Sequence, residues 1–173
     1  MGIMSKLIFW KARKPVVPVV RLGGVISSSA SMGRRGLSLE SVEPQLKKAF
    51  SVSRARAVAV LINSPGGSPV QSALIGQRIR DLAQRADVPV LAFCEDVAAS
   101  GGYWLAASAD EIYASNASVI GSIGVISAGF GFPDVLEKLG IERRVYTSGK
   151  SKSMLDPFRP ENPDDVAYLK SLQ

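Results

Sequence analysis

Two uninterrupted apolar runs, separated by a helical pattern, place the strongest constraint on the fold of this chain. Residues 57–62 read Ala-Val-Ala-Val-Leu-Ile and residues 88–93 read Val-Pro-Val-Leu-Ala-Phe, as is typical of strands covered on both faces. Between them, a Ser-Pro-Gly-Gly turn leads into a helical pattern over residues 70–85. Because parallel strands need such a crossover helix, the sequence predicts an α/β fold around a largely parallel sheet.

The remaining elements continue this alternation, with no repeat and no internal domain boundary. We expect a basic tail over residues 1–15 and one domain over residues 16–173. The predicted elements are a β-rich run over 16–26, a helix over 39–50 capped by Ser38, a short helix over 101–107, a strand over 111–114, a glycine-interrupted strand over 119–126, a helix over 133–139, a strand over 143–147 and a final helix from Asp164.

The counts of histidine and cysteine restrict the catalytic groups and metal sites that the chain can form. The 173 residues contain no histidine and one cysteine, Cys94. The absence of histidine excludes the Ser-His-Asp triad, the Cys-His dyad and histidine-ligated zinc sites, and one cysteine forms neither an internal disulfide nor a cysteine cage for a metal. We therefore expect no metal and no cofactor, and we expect Cys94 to lie in the core. Any hydrolytic reaction must use a base other than histidine.

The net charge of +6 does not predict nucleic-acid binding, because no basic stretch is interleaved with aromatic residues. Residues 5–14 hold four of the positive charges around a short apolar run, Leu-Ile-Phe-Trp. Four residues cannot cross a bilayer, which takes about 20. We expect a cytoplasmic protein, or one at the inner membrane through peripheral contact of the basic N-terminus with anionic lipid.

Two turns follow buried strands, where sites form in open α/β sheets. In the first, Gly66 and Gly67 precede a helix, so their N–H groups could face a phosphate or an oxyanion; a plain turn is the alternative. In the second, small residues surround Ser100 at a predicted strand-to-helix junction. This resembles a nucleophile elbow, in which a tight turn exposes the hydroxyl. An N-cap serine is the alternative.

A serine hydroxyl needs a base to become a nucleophile, and without histidine a carboxylate or a lysine must serve. A lysine in water has a pKa of about 10.4, so it must be desolvated to act near neutral pH. Residues 147–158 offer Lys150 and Lys152, with Met154, Leu155 and Phe158 as a candidate apolar wall. An exposed loop with two solvated lysines is the alternative, and the residue types alone leave both open.

Four motifs occur in an order that resembles one known family. They are Ile-Asn-Ser-Pro-Gly-Gly at 62–67, Ala-Ala-Ser-Gly-Gly-Tyr at 98–103, Gly-Ser-Ile-Gly-Val at 121–125 and Ser-Gly-Lys-Ser-Lys at 148–152. Together, over roughly residues 16–173, they are similar to the signal peptide peptidase A family of Ser-Lys endopeptidases, which has the Clp/crotonase-type fold.

This resemblance implies a role for each matching residue. Ser100 would be the nucleophile and Lys152 the general base, with Lys150 as the rival base. Ser122 would orient the lysine amine. The N–H groups of the Gly66-Gly67 turn and of Gly101 would form the oxyanion hole.

The resemblance also implies hydrophobic peptide substrates, such as remnant signal peptides, and a homo-oligomeric ring in which neighbouring subunits share the dyad. The chain departs from the family in showing no N-terminal membrane anchor and in stopping within a helix at Gln173. We therefore expect it to be C-terminally incomplete relative to the family. Two alternatives stay open: a crotonase-like acyl-CoA enzyme, and a non-catalytic scaffold of the same fold.

Overall fold

The computed structural model of the chain describes residues 14–28, 36–148 and 152–173. The chain divides into two compact units, Met1–Ile123 and Gly124–Gln173, and each is described by itself. No helix in the described ranges has both the length and the hydrophobicity needed to cross a bilayer.

The first unit is built on a parallel sheet. Among the described residues the strands are β1 (Val19–Gly23), β2 (Val58–Ser64), β3 (Val90–Ala99), β4 (Glu111–Ala114) and β5 (Val119–Gly121). They lie in the order β1-β2-β3-β4, and β5 pairs with the end of β3 beyond β4; all of these pairings are parallel. The predicted α/β architecture is confirmed.

Local sequence explains where the helices of this unit begin. Helix α1 (Leu39–Phe50) starts after Ser38, whose hydroxyl accepts the N–H of Ser41, while the Ser41 hydroxyl accepts the N–H of Ser38, a reciprocal cap. Helix α2 (Pro69–Ala86) has proline at its first position, where the missing N–H costs nothing. Helix α3 (Gly101–Ala107) follows β3 directly and matches the predicted range.

One face of the sheet carries the core. In β1, Val20 and Leu22 are buried whereas Val19, Arg21 and Gly23 are exposed, the alternation of a strand with one covered face. The buried residues of β2, β3 and the three helices continue this core, each large apolar side chain contributing about 1.5–3 kcal/mol. Cys94 belongs to it, as predicted, and burial raises the pKa of its thiol.

The expectation that residues 88–93 are covered on both faces is wrong. In β3 the side chains alternate between buried and more accessible positions, and Phe93 is 37% exposed. Its ring stacks on Tyr113 of β4, with the ring centroids 5.0 Å apart. The apolar run therefore marks a strand that is covered on one face and lined by a neighbouring aromatic ring on the other.

Two predicted strands also differ in the structure. Strand β5 stops at Gly121 rather than at residue 126, because Ser122 and Gly124 have positive φ angles that turn the chain. Residues 143–147 form no strand. Instead, Arg143 pairs with Asp156 and Arg144 pairs with Glu142. The second unit contains helices α4 (Pro133–Lys138) and α5 (Pro163–Leu172).

An ion pair joins α1 to α2. Arg78 donates to both carboxylate oxygens of Glu43, with its Nη2 2.6 Å from Oε1, and Lys47 lies 3.0 Å from the same oxygen. These two cations, Arg78 first, lower the pKa of Glu43 from 4.5 to about 2. A carboxylate with a depressed folded-state pKa stabilises the fold above its unfolded pKa and loses this effect as the pH falls through the folded value.

We therefore expect Glu43→Gln to lower the melting temperature at pH 7, and we expect the difference from the wild type to shrink as the pH falls from about 4.5 to about 2. Thermal unfolding of both proteins, followed by circular dichroism across this pH range, measures the difference in melting temperature. Glu40→Gln removes the same charge one turn earlier, where no ion pair is seen within the described ranges, and should have a smaller effect. A Glu43→Gln deficit that stays constant with pH would contradict the assignment.

Candidate active site

Ser100 occupies a strained turn between β3 and α3. Its φ of 51° and ψ of −120° lie in a region that residues with a side chain seldom adopt. Its backbone is held on both sides, because its N–H donates to the Gly121 carbonyl at 2.7 Å and its carbonyl accepts the Trp104 N–H at 3.0 Å. Ser100 occupies the N-cap position of α3, as the alternative interpretation predicts, but its side chain makes no capping hydrogen bond, so the helix does not use its hydroxyl.

A bulge in β3 brings Ala98, two residues before Ser100, opposite Ser64 at the end of β2. The register shifts from Ile62 opposite Cys94 to Ser64 opposite Ala98, so β3 carries two extra residues there. The Asn63 side chain fills the gap: its amide donates to Asp96 at 2.9 Å and its carbonyl accepts the Val97 N–H at 3.3 Å. The sequence pattern assigns Asn63 no role, since residue type alone does not reveal a register shift.

The Gly66-Gly67 turn lies directly against this junction. Both glycines have positive φ, 95° and 144°. A Cβ added to Gly66 would lie 2.7 Å from the Gly101 nitrogen and 2.9 Å from the Ser100 Cβ, and one added to Gly67 would overlap the Ile26 carbonyl. No other residue type allows the two turns to approach this closely.

The N–H groups of the two turns differ in whether they are engaged. The Gly66 N–H donates to the Ser64 hydroxyl oxygen at 3.1 Å. The N–H groups of Gly67 and Gly101 have no acceptor among the described residues; the second is orphaned because Gly101 is the first residue of α3. Within the described ranges, the two turns that meet at Ser100 therefore keep two N–H donors without an acceptor.

The first turn of α3 packs tightly on two buried serines. A Cβ on Gly101 would overlap the Ser72 hydroxyl, and one on Gly102 would overlap the Ser64 carbonyl. Ser64 and Ser72 are both fully buried. The adjacent glycines after Ser100 signal a close approach of backbone, but the sequence pattern does not predict that Ser64 and Ser72 are the residues approached.

Strand β5 positions Ser122 near Ser100. Gly121 pairs with Ala99 across the sheet and accepts the Ser100 N–H. Ser122 follows immediately with a φ of 51° and an exposed side chain. The first unit thus brings together Ser100, Ser122 and the three glycines that the motifs singled out.

Lys152 lies in the second unit, and Lys150 lies outside the described residues. The Lys152 side chain is exposed in the single chain. The turn that follows it is held from two sides: the Leu155 N–H donates to Asp165 at 3.2 Å, and Asp156 accepts from Arg143 and from the Phe158 N–H. The side chain of Asp156 is 4% exposed, and hydrogen bonding to Arg143 lowers its pKa.

The residues proposed as an apolar wall for the lysine make other contacts in this unit. The Phe158 ring lies 5.6 Å from the Phe132 ring and beneath the Arg143 guanidinium. Leu155 is 39% exposed and has a φ of 53°.

Comparison with known proteins gives a consistent family match. The model of Peptidase family S49 matches residues 83–172. The chain is 34% identical, over 86% of its length, to a putative signal peptide peptidase SppA of Enterococcus faecium, and 32% identical, over 91%, to the chloroplastic serine protease SPPA of Arabidopsis thaliana. It is 53% identical, over 99% of its length, to a protein of Brucella melitensis named Na(+)/H(+) antiporter NhaA.

The chain spans 24% of the Brucella protein, 44% of the Enterococcus protein and 24% of the Arabidopsis protein. Among solved structures, the 1510-N membrane-bound stomatin-specific protease superposes with a TM-score of 0.50 at 22% identity, over 68% of this chain and 52% of that one. This likeness confirms the predicted α/β fold of the Clp/crotonase type.

The packing around α3 makes one direct prediction. Because a Cβ at position 102 meets the Ser64 carbonyl, Gly102→Ala should destabilise the fold by about 1–3 kcal/mol, the usual cost of overpacking. Gly76→Ala is the matched control. It lies inside α2, where a Cβ meets nothing closer than 3.5 Å, so it should be neutral or stabilise by up to about 1 kcal/mol.

Denaturant unfolding of the two variants measures the difference. Equal stability of Gly102→Ala and Gly76→Ala would show that the first turn of α3 does not pack closely on Ser64.

Proposed function

Since the chain belongs to peptidase family S49, a family of serine-type peptidases, we propose that it is a serine endopeptidase with Ser100 as its nucleophile and Lys152 as its general base. One observation carries the proposal. The Ser100 hydroxyl sits unbonded on a strained turn, next to two N–H groups that have no acceptor within the described ranges.

The reaction follows ordinary acyl transfer. The neutral amine of Lys152 takes the proton of the Ser100 hydroxyl as the oxygen attacks the scissile carbonyl carbon. The resulting ammonium gives that proton to the leaving nitrogen as the C–N bond breaks, which leaves an ester on Ser100. Water, deprotonated by the same amine, then cleaves the ester and restores the serine hydroxyl.

The oxyanion of each tetrahedral intermediate would be bound by the N–H groups of Gly67 and Gly101. Such preorganised donors are worth about 10²–10³ in rate each. The Gly66 N–H is engaged by Ser64, so of the three N–H groups implied by the resemblance we assign Gly66 a spacing role. Its lack of a side chain lets the Gly66-Gly67 turn pack directly against Ser100 and Gly101.

Lys152 must lose its proton before it can accept one from Ser100, and a lysine in open water keeps its proton near neutral pH. Its side chain is exposed in the single chain. We therefore propose that a neighbouring subunit of a homo-oligomeric ring covers it and that subunits share the dyad. Ser122, which follows the carbonyl that binds the Ser100 N–H, would hold the amine.

We propose extended hydrophobic peptides, such as remnant signal peptides, as substrates. The support is the name of the Enterococcus relative, a putative signal peptide peptidase. An extended peptide could pair with the backbone beside the Gly66-Gly67 turn, as in strand addition. The antiporter name belongs to a Brucella protein of which this chain matches 24%. The match to Peptidase family S49, by contrast, lies within this chain. We therefore assign this chain the peptidase role.

Labelling with a fluorophosphonate probe tests the catalytic pair. We expect the wild type to be modified on Ser100, located by peptide mass spectrometry, and Ser100→Ala to be unlabelled. Loss of a general base typically costs about 10²–10⁴ in rate, so Lys152→Ala should label at least about a hundredfold more slowly. Lys170→Ala, an exposed lysine of α5, is the control and should label like the wild type.

Lys150→Ala separates the two candidate bases. Normal labelling of Lys150→Ala with loss in Lys152→Ala supports the proposal, and the reverse result moves the base to Lys150. An unreactive Ser100 in the assembled wild type would favour a non-catalytic scaffold. Hydrolysis of an acyl-CoA thioester that survives Ser100→Ala would favour the crotonase-like alternative.

The rate of labelling should also depend on pH in one direction. Because the active form of a lysine base is the neutral amine, the rate should rise as the pH is raised from about 6 to about 10. Second-order rate constants measured across this interval, with unfolding controls at each end, provide the profile. A rate that declines across it is incompatible with a lysine base.

A further inference from the structure

Ser64 is a fully buried polar residue at the end of β2. It takes part in no step of the proposed reaction. A buried hydroxyl in a native fold is expected to have a hydrogen-bond partner. The Ser64 hydroxyl oxygen accepts the Gly66 N–H at 3.1 Å, a local side-chain-to-backbone bond of the kind serine forms in turns.

The next peptide group is fixed from the other side. The Gly66 carbonyl accepts the Ile26 N–H at 2.8 Å, and the Ser68 N–H donates to the Ile26 carbonyl at 2.8 Å. In a trans peptide the carbonyl and the following N–H point in opposite directions, and the chain has no cis peptide in its described ranges. Since the Gly66 carbonyl faces Ile26, the Gly67 N–H is directed away from Ile26.

Ser64 also supports the nucleophile turn. The first turn of α3 lies so close that a Cβ on Gly102 would lie 3.2 Å from the Ser64 Cβ and would overlap the Ser64 carbonyl. One buried residue therefore contacts both the turn that carries the Gly67 donor and the helix that begins after Ser100.

Two adjacent glycines have many accessible backbone conformations. Without the Ser64 hydroxyl the Gly66 N–H would be buried without an acceptor, which is unfavourable. Rotation of the peptide before Gly66 could then direct this N–H elsewhere and would carry the Gly67 N–H out of position.

We propose that Ser64 is a positioning residue for catalysis: by binding the Gly66 N–H it selects the Gly67 N–H as the oxyanion donor and aligns it with Ser100. This inference rests on the proposed peptidase function and deepens it. Ser64 touches no reacting atom and acts through the Gly66-Gly67 turn.

The test compares Ser64→Ala with Ser72→Ala in the full chain. Ser72 is the matched control because it is equally buried, also packs against α3, and donates to the Ser68 carbonyl at 2.8 Å instead of binding a turn N–H. Three quantities are measured: the rate of fluorophosphonate labelling, the affinity for a leucine-rich peptide aldehyde, and the affinity for the corresponding peptide amide.

The aldehyde forms a tetrahedral adduct with serine, whereas the amide reports ground-state binding. Removal of one oxyanion donor slows an enzyme by about 10²–10³, and a misaligned donor should cost part of that factor. Ser64→Ala should therefore label about 10- to 100-fold more slowly and bind the aldehyde more weakly by a similar factor. Its amide affinity should stay within about threefold of the wild type. Ser72→Ala should keep labelling and aldehyde binding within about threefold.

Ser64→Cys provides a second variant should the alanine variant unfold. Its thiol is a weak acceptor, so it should restore part of the lost rate. Amide hydrogen exchange gives a readout independent of activity: the Gly66 amide should exchange more slowly than the Gly67 amide in the wild type, and this protection should disappear in Ser64→Ala.

Two results would overturn the role of Ser64 while leaving the Ser100 and Lys152 assignments intact. One is an equal loss of labelling rate and aldehyde affinity in Ser64→Ala and Ser72→Ala. The other is a Gly66 amide that exchanges as fast as the Gly67 amide in the wild type. A wild type that is not labelled at Ser100 at all would instead overturn the proposed function, and the role of Ser64 with it.

Discussion

The close approach of two glycine-bearing turns is the constraint on which the rest of the site depends. Gly66 lies so near Ser100 and Gly101 that a single methyl group at its position would collide with both. This contact needs positive φ at Gly66, Gly67 and Ser100; glycine adopts such angles freely, so the strain lies at Ser100. Such strain persists only where the surroundings over-determine the conformation, and here the sheet does so.

The sheet imposes this arrangement through a register shift. Two extra residues in β3 bring Ala98 opposite Ser64, and the Asn63 side chain satisfies the backbone and carboxylate groups that the bulge leaves open. On the far edge of β3, β5 supplies the Gly121 carbonyl that binds the Ser100 N–H. Three neighbouring strands thus hold the backbone of Ser100, whose hydroxyl has no hydrogen-bond partner among the described residues.

Much of the fold was predictable from local patterns. Helices α1 and α3 and strand β4 have the predicted bounds, because a serine cap, a glycine-rich start and a short apolar run are local signals. Strand β3 is longer than its apolar run because pairing with β5 extends it. Residues 143–147 have a strand-like pattern, yet Arg143 pairs with Asp156 thirteen residues later, an interaction that no local pattern shows.

Residue types alone restrict the possible chemistry: the chain has no histidine, small residues surround Ser100, and two adjacent glycines follow a buried strand. These are composition and backbone requirements, which a sequence displays directly. Which N–H groups lack an acceptor among the described residues follows from the packing, since Ser64 binds the Gly66 N–H and Ile26 orients the next peptide. Hydrogen bonds between segments about 40 residues apart arise from the packing of the sheet, and residue order alone does not contain their directions.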